Sequence, residues 1–223
     1  MYIISNHGLD TEWGTRKLMF VRKVSQYNTK QLDRMLLNCN NSLNHVQIMN
    51  QGQSIEDATG TLQADFANEL IGGGVLRHGC VQEEIRFTIS PECLVSVLIC
   101  EKMQNNESIV ILGAERFCNY TGYGKTFKYA GKYTQTMYQT DDYGALNVRI
   151  VAFDALDVHR NPSHQYTLQV LSRDILKLYS ALSPLSIIDN NRSNAFSTGN
   201  WGCGVFGGDP KWKFLAQWSL HHL

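Results

Sequence analysis

The sequence predicts a layered α/β domain, and three observations carry that prediction. Two runs rich in β-branched residues, Ile109-Val110-Ile111-Leu112 and Val148-Arg149-Ile150-Val151-Ala152-Phe153, have the character of strands covered on both faces. Segments with helical periodicity and capping residues alternate with them, which is the pattern of helices layered on a sheet. At 223 residues, 43% of them hydrophobic, the chain is long enough for one domain with a substantial core.

Each element follows from local chemistry. The first fifty residues are poorly patterned, and the Asn-rich stretch 38–44 reads as a loop or link. A boundary is therefore drawn after residue 50, leaving 51–223 as the main domain. Ser90-Pro91 reads as an N-cap and first-turn proline of a mostly buried helix bearing Leu94, Val95, Val97, Leu98 and Ile99. A polar, aromatic-rich insertion, 120–143, separates the two strands. Ser163 is placed to cap a helix on which Leu168, Leu171, Ile175, Leu178, Tyr179 and Leu182 share one face. Asp209-Pro210 opens a last helix carrying Trp212, Leu215, Ala216 and Trp218.

Composition excludes several function classes. Lys and Arg number 20 and Asp and Glu number 20, so the net charge is zero. That balance argues against direct nucleic-acid binding through phosphate neutralisation. No apolar run approaches the ~20 residues of a membrane span, and no secretory leader is evident. The six cysteines are scattered without a C-x-x-C pair, and the histidines lack metal-ligand spacing. They read as reduced thiols of an intracellular protein, with no metal and no cofactor implied.

Three segments carry chemistry. Asp65 and Asn68 lie in the stretch 62–68, which leads to Gly72-Gly73-Gly74. Three glycines in apolar surroundings are entropically costly; they serve either a tight turn or a backbone that must approach a ligand. Next comes Val81-Gln82-Glu83-Glu84-Ile85-Arg86-Phe87. Adjacent glutamates ordinarily form a solvated face, but here the apolar flanks predict a desolvated carboxyl of raised pKa, and the neighbouring carboxylate raises one of the two further. A carboxyl protonated near neutrality is what a glycosidic general acid requires. The third segment, 198–210, places Gly202, Gly204, Gly207 and Gly208 directly before a helix N-terminus. Such a loop offers amides and a positive helix end to a diphosphate. Its Gly202-x-Gly204-x-x-Gly207 spacing also matches a dinucleotide fingerprint. The acidic residue expected about 20 positions on is absent, so an NAD-linked oxidoreductase is disfavoured.

In this order, the glycine triplet followed by Gln82-Glu83-Glu84 resembles the signature of the poly(ADP-ribose) glycohydrolase family. Stretches 62–68, 115–126, 151–156 and 198–209 resemble further motifs of its animal-type members, over roughly residues 55–217. The resemblance implies a macrodomain-like mixed β-sheet sandwiched between helices. It implies hydrolysis of ribose–ribose O-glycosidic bonds in poly(ADP-ribose), releasing ADP-ribose. A non-catalytic ADP-ribose reader is the alternative.

On this resemblance Glu84 is the acid/base, Glu83 orients the substrate ribose, and Asp65 completes the acidic site. Gly73, Gly74, Asn68 and Gln82 are ribose and substrate contacts, and Ile55 and Glu56 lie beside the adenine. Tyr123 flanks the terminal unit. Asn200, Trp201, Gly202, Cys203, Gly204, Val205 and Phe206 form the diphosphate loop, with Phe206 folded over the ribose. The first fifty residues become a remnant of a helical accessory region, and the domain is short of a C-terminal strand. Expected partners are poly(ADP-ribose) on modified proteins, with no membrane. Monomeric state, nuclear and cytoplasmic location and a role in the DNA damage response are further implications.

Overall fold

The computed structural model of the chain describes residues 2–5, 16–134, 140, 144–184 and 195–220. Among them six strands form one mixed sheet: β1 (Tyr2–Ser5), β2 (Lys17–Val24), β3 (Leu62–Asp65), β4 (Glu107–Leu112), β7 (Arg149–Ala152) and β8 (Phe196–Ser197). A separate hairpin pairs β5 (Cys118–Thr121) with β6 (Lys128–Lys132). The sheet order is β1-β2-β4-β7-β3-β8. β1, β2, β4 and β7 run antiparallel to their neighbours, whereas β7, β3 and β8 run parallel.

The two apolar runs are central strands, and their side chains divide between two cores as a period of two demands. Ile109, Ile111, Ile150 and Ala152 enter one core with Phe87, Cys93 and Met103. Val110, Leu112, Val151 and Phe153 enter the other with Leu32, Leu178 and Ala216. The first core is covered by α2 (Gln82–Ile89) and α3 (Val95–Ile99). The second is covered by α1 (Thr29–Leu37), α4 (Leu168–Leu182) and α5 (Pro210–Leu220). The expected sandwich is present.

Three local expectations are corrected. The segment after Ser90-Pro91 is no single buried helix: Pro91–Leu94 is a 3-10 turn, α3 spans only five residues, and Leu98 is 83% exposed. Ser90 makes no side-chain cap bond. The cap of α4 is Thr167, whose Oγ1 accepts from the Val170 N–H, while Ser163 sits in the preceding 3-10 helix Pro162–Tyr166. Leu168 accordingly faces solvent. The insertion is the β5–β6 hairpin, and its residues 135–139 and 141–143 lie outside the described residues.

The first fifty residues do more than the sequence pattern predicts, and a boundary after residue 50 would cut through the sheet. β2 lies inside it, and Leu32 of α1 is fully buried in the second core. Arg22 and Lys23 hid the strand by making it look polar. Arg22 pairs with Glu107 at 2.6 Å, and Lys23 Nζ donates to the Ala181 carbonyl at 3.0 Å. Leu32→Ala should therefore cost about 2–5 kcal/mol in chemical denaturation. Leu37→Ala on the same helix, where the side chain is 86% exposed, should change stability by less than about 0.5 kcal/mol.

Candidate active site

Parallel strands β7, β3 and β8 bring three loops to the same edge of the sheet. In such sheets ligands bind beyond the carboxyl ends of the strands. Asp65 is the last residue of β3, Phe153-Asp154 follow β7, and the loop 198–209 follows β8. The segments singled out by sequence, which are far apart along the chain, thus meet at one edge of the sheet.

The acidic pair is built into the first turn of α2. Val81 is the N-cap, and Glu84 Oε2 accepts the Val81 N–H at 2.9 Å, as an N3 glutamate does in a capping box. Glu84 Oε1 accepts the Gly74 N–H at 2.8 Å. Glu83 accepts from Asn68 N–H at 2.8 Å and Gly72 N–H at 2.6 Å. The glycine triplet therefore also clamps the glutamates, through the amides of Gly72 and Gly74. A Cβ on Gly73 would lie 2.6 Å from Glu84 Oε1 and 2.7 Å from Glu83 Oε2. Gly79, which the sequence did not single out, is equally constrained, with its Cβ position 2.6 Å from Glu84 Oε1.

Asp65 is 0% exposed, and neither carboxyl oxygen has a hydrogen-bond partner among the described residues. Burial pushes its carboxyl up to about 8; the Arg86 charge opposes this and the Glu84 charge adds to it. Glu83 is pushed well above the usual carboxylate range, first by burial and then by the Asp65 charge, against the Asn68 and Gly72 amides. Burial thus raises the carboxyls of both Asp65 and Glu83, while Ile85 and Phe87, the apolar flanks of the acidic pair, turn into the core.

Gln82, expected as a substrate contact, joins its side-chain amide to the backbone here. Its Oε1 accepts the Phe66 N–H at 2.8 Å and its Nε2 donates to the Ala64 carbonyl at 3.0 Å, locking α2 onto the end of β3. Asn68 Oδ1 likewise accepts the Leu70 N–H at 3.0 Å. Tyr123, 56% exposed, accepts the Gln82 N–H at its hydroxyl, 3.1 Å away, so its ring stands beside the acid pair. From the same hairpin, Tyr120 donates to Glu56 Oε1 at 2.6 Å. This bond ties the 3-10 helix Ile55–Asp57 to the site, with Ile55 packed on the second core.

The glycine loop has two faces. Trp201, expected as a ligand contact, is fully buried and its Nε1–H donates to the Phe153 carbonyl at 3.0 Å. It anchors the loop from behind. Gly202 adopts a φ of +71°, and a Cβ there would lie 2.5 Å from that of Ala155. Asn200, Gly204 and Val205 are exposed; Cys203 and Phe206 are partly buried. Loop amides at Trp201, Cys203, Gly207 and Gly208 bond within the loop. Those of Gly202, Gly204, Val205 and Phe206 make no hydrogen bond among the described residues. Phe66 bridges the acidic and glycine segments, its ring 3.6 Å from the Cβ position of Gly199. No signal in the sequence marked Phe66, because its role arises only when β3 and β8 are neighbours.

A family model described as poly(ADP-ribose) glycohydrolase (PARG), Macro domain fold, matches residues 23–221. The chain belongs to this family. It is 41% identical over 173 residues to poly(ADP-ribose) glycohydrolase 1 of Caenorhabditis elegans, covering 73% of this chain and 22% of that protein. It is 34% identical over 209 residues to the probable poly(ADP-ribose) glycohydrolase 2 of Arabidopsis thaliana, covering 78% of this chain and 39% of that protein. The chain thus spans less than half the length of these relatives. Among solved structures it is similar to the poly(ADP-ribose) glycohydrolase of Thermomonospora curvata bound to the inhibitor ADP-HPD. That match has 15% identity and a TM-score of 0.45, and covers 89% of this chain and 70% of the other.

The protonated Asp65 has a signature in stability. Its folded-state value near 8 lies above the ordinary 3.8, so between those values the folded chain binds more protons than the unfolded one. Its contribution is fully present below about pH 4 and is lost as pH rises through about 8, by at most about 1.4 kcal/mol per pH unit. Asp65→Asn should remove this term. Thermal melts from pH 5 to pH 8 should show a flatter decline for the variant than for the parent chain.

Proposed function

We propose that this chain hydrolyses ribose–ribose O-glycosidic bonds of poly(ADP-ribose) and releases ADP-ribose, with Glu84 as the acid/base. The observation that carries this reading is the double capture of Glu83 and Glu84 by backbone amides at the mouth of the cleft, over the buried carboxyl of Asp65. Catalytic carboxyls must be held in place before substrate arrives, and four amides do that here. Burial raises the Asp65 and Glu83 carboxyls above the usual carboxylate range, and Glu84 is the third carboxyl of the same cluster.

In the proposed reaction Glu84 passes a proton to the leaving ribose oxygen as an oxocarbenium-like centre develops on the other ribose. The resulting carboxylate then takes a proton from the attacking water. Glu83, fixed by the Asn68 and Gly72 amides, orients the scissile ribose. Tyr123 flanks the terminal unit. The free amides of Gly202, Gly204, Val205 and Phe206 receive the diphosphate, and Phe206 closes over the adjoining ribose. Ile55 and the Glu56–Tyr120 pair border the adenine. The neutral composition is compatible with this anionic ligand because oriented amides replace cationic side chains.

Glu84→Gln preserves an acceptor oxygen for one of the two amides while removing the transferable proton. Release of ADP-ribose from labelled polymer should fall by about 100- to 10,000-fold, with ADP-ribose affinity, measured by calorimetry, within a few-fold of the parent chain. Retained turnover would remove Glu84 from the acid/base role. Binding of polymer by the parent chain without any release would favour the reader instead.

A further inference from the structure

Behind the glycine loop, a line of five buried charged residues crosses from β4 to α5. Lys177 Nζ donates to the carbonyls of Gln104 and Glu107, at 2.5 and 2.7 Å, and lies 2.6 Å from Asp154 Oδ1. Asp154 Oδ2 pairs with Arg173, whose guanidinium also donates to the Asp154 carbonyl at 2.7 Å and to Asn105 Oδ1 at 3.1 Å. Arg173 stands 3.5 Å from Asp174 Oδ1, and Asp174 Oδ2 pairs with Lys213. None of the proposed reaction steps uses these residues.

The line ends under the loop. The Lys213 ammonium sits 4.4 Å from the centre of the Trp201 ring, a cation–π contact on the indole that anchors the loop. Its stem fills the space that side chains at the neighbouring glycines would take. A Cβ on Gly208 would lie 3.2 Å from Lys213 Cε, and one on Gly202 would lie 3.6 Å from Cε and 3.9 Å from Nζ. Asp154 and Asp174 pair with the three cations, but a buried charge is screened far less than a surface one, so the Lys213 ammonium still acts on whatever the loop holds.

We propose that Lys213 is a positioning residue for the anion site: it fixes the loop through Trp201, Gly202 and Gly208 and supplies from behind the positive charge that the loop itself lacks. This rests on the reading of the loop as the diphosphate site. It gives that site a cationic partner that never touches the ligand, and it explains why a net-neutral chain buries a lysine there.

The test compares ligands with and without phosphate. Lys213→Met should weaken ADP-ribose binding about ten-fold, with adenosine affinity unchanged. KM for polymer should rise while kcat stays within about three-fold. Equal losses for both ligands would mean a merely structural role, and unchanged ADP-ribose affinity would remove the role altogether. If Lys213→Met does not fold, Asp174→Asn serves: it keeps the ammonium and removes its anionic partner. ADP-ribose should then bind as tightly as to the parent chain or more so, and a loss in both ligands overturns the proposal. Hydrogen exchange on the parent chain separates the two levels. Failure of ADP-ribose to protect the amides of Gly202 and 204–206 would refute the diphosphate reading itself. Protection there, with full affinity in Lys213→Met, would refute only the part given to Lys213.

Discussion

Four backbone N–H groups, from Asn68, Gly72, Gly74 and Val81, converge on two adjacent glutamate side chains. The rest of the cleft is arranged around that capture. These bonds fix where the two carboxyls sit, although burial still outweighs the Asn68 and Gly72 amides in raising Glu83. The amides can reach them only because the turn carries no Cβ at Gly73 or Gly79, where one would strike carboxylate oxygens. The capture also fixes the start of α2. That in turn sets Gln82 against β3 and Tyr123 against the helix end, so the placement of the carboxyls and helix initiation are one structure.

The second loop handles charge in the opposite way. At the acidic turn the amides are filled by protein carboxyls; in the loop after β8 four have no partner among the described residues. Both arrangements let a chain with no net charge manage anions. The cost appears in the interior, where α4 carries Arg173, Asp174 and Lys177 on a face turned toward the protein. Each of these charges has an opposite charge or a carbonyl within reach, as burial requires.

Much of this was legible in the residues. The apolar runs at 109–112 and 148–153 could only be central strands, because no other element buries consecutive β-branched side chains on both faces. Asp209-Pro210 declared a helix start, and the Asp209 side chain indeed accepts the Trp212 N–H. Other elements were hidden by side chains whose partners lie far away. β2 looked polar because Arg22 and Lys23 find Glu107 and the Ala181 carbonyl 85 and 158 positions along the chain. Thr167 replaced Ser163 as a cap because the residues between them close a tighter 3-10 turn.

The sequence by itself determined which chemistry was present: paired glutamates, two glycine loops and a buried-strand framework, each a matter of local composition and spacing. Only the tertiary structure decided how these groups share protons and ligands. Desolvation depends on what the fold stacks over a carboxyl, and this raises Asp65 and Glu83 above the usual carboxylate range. It likewise turned Trp201 from an expected contact into an anchor and set Lys213 beneath it, since burial and through-space charge have no representation in residue order.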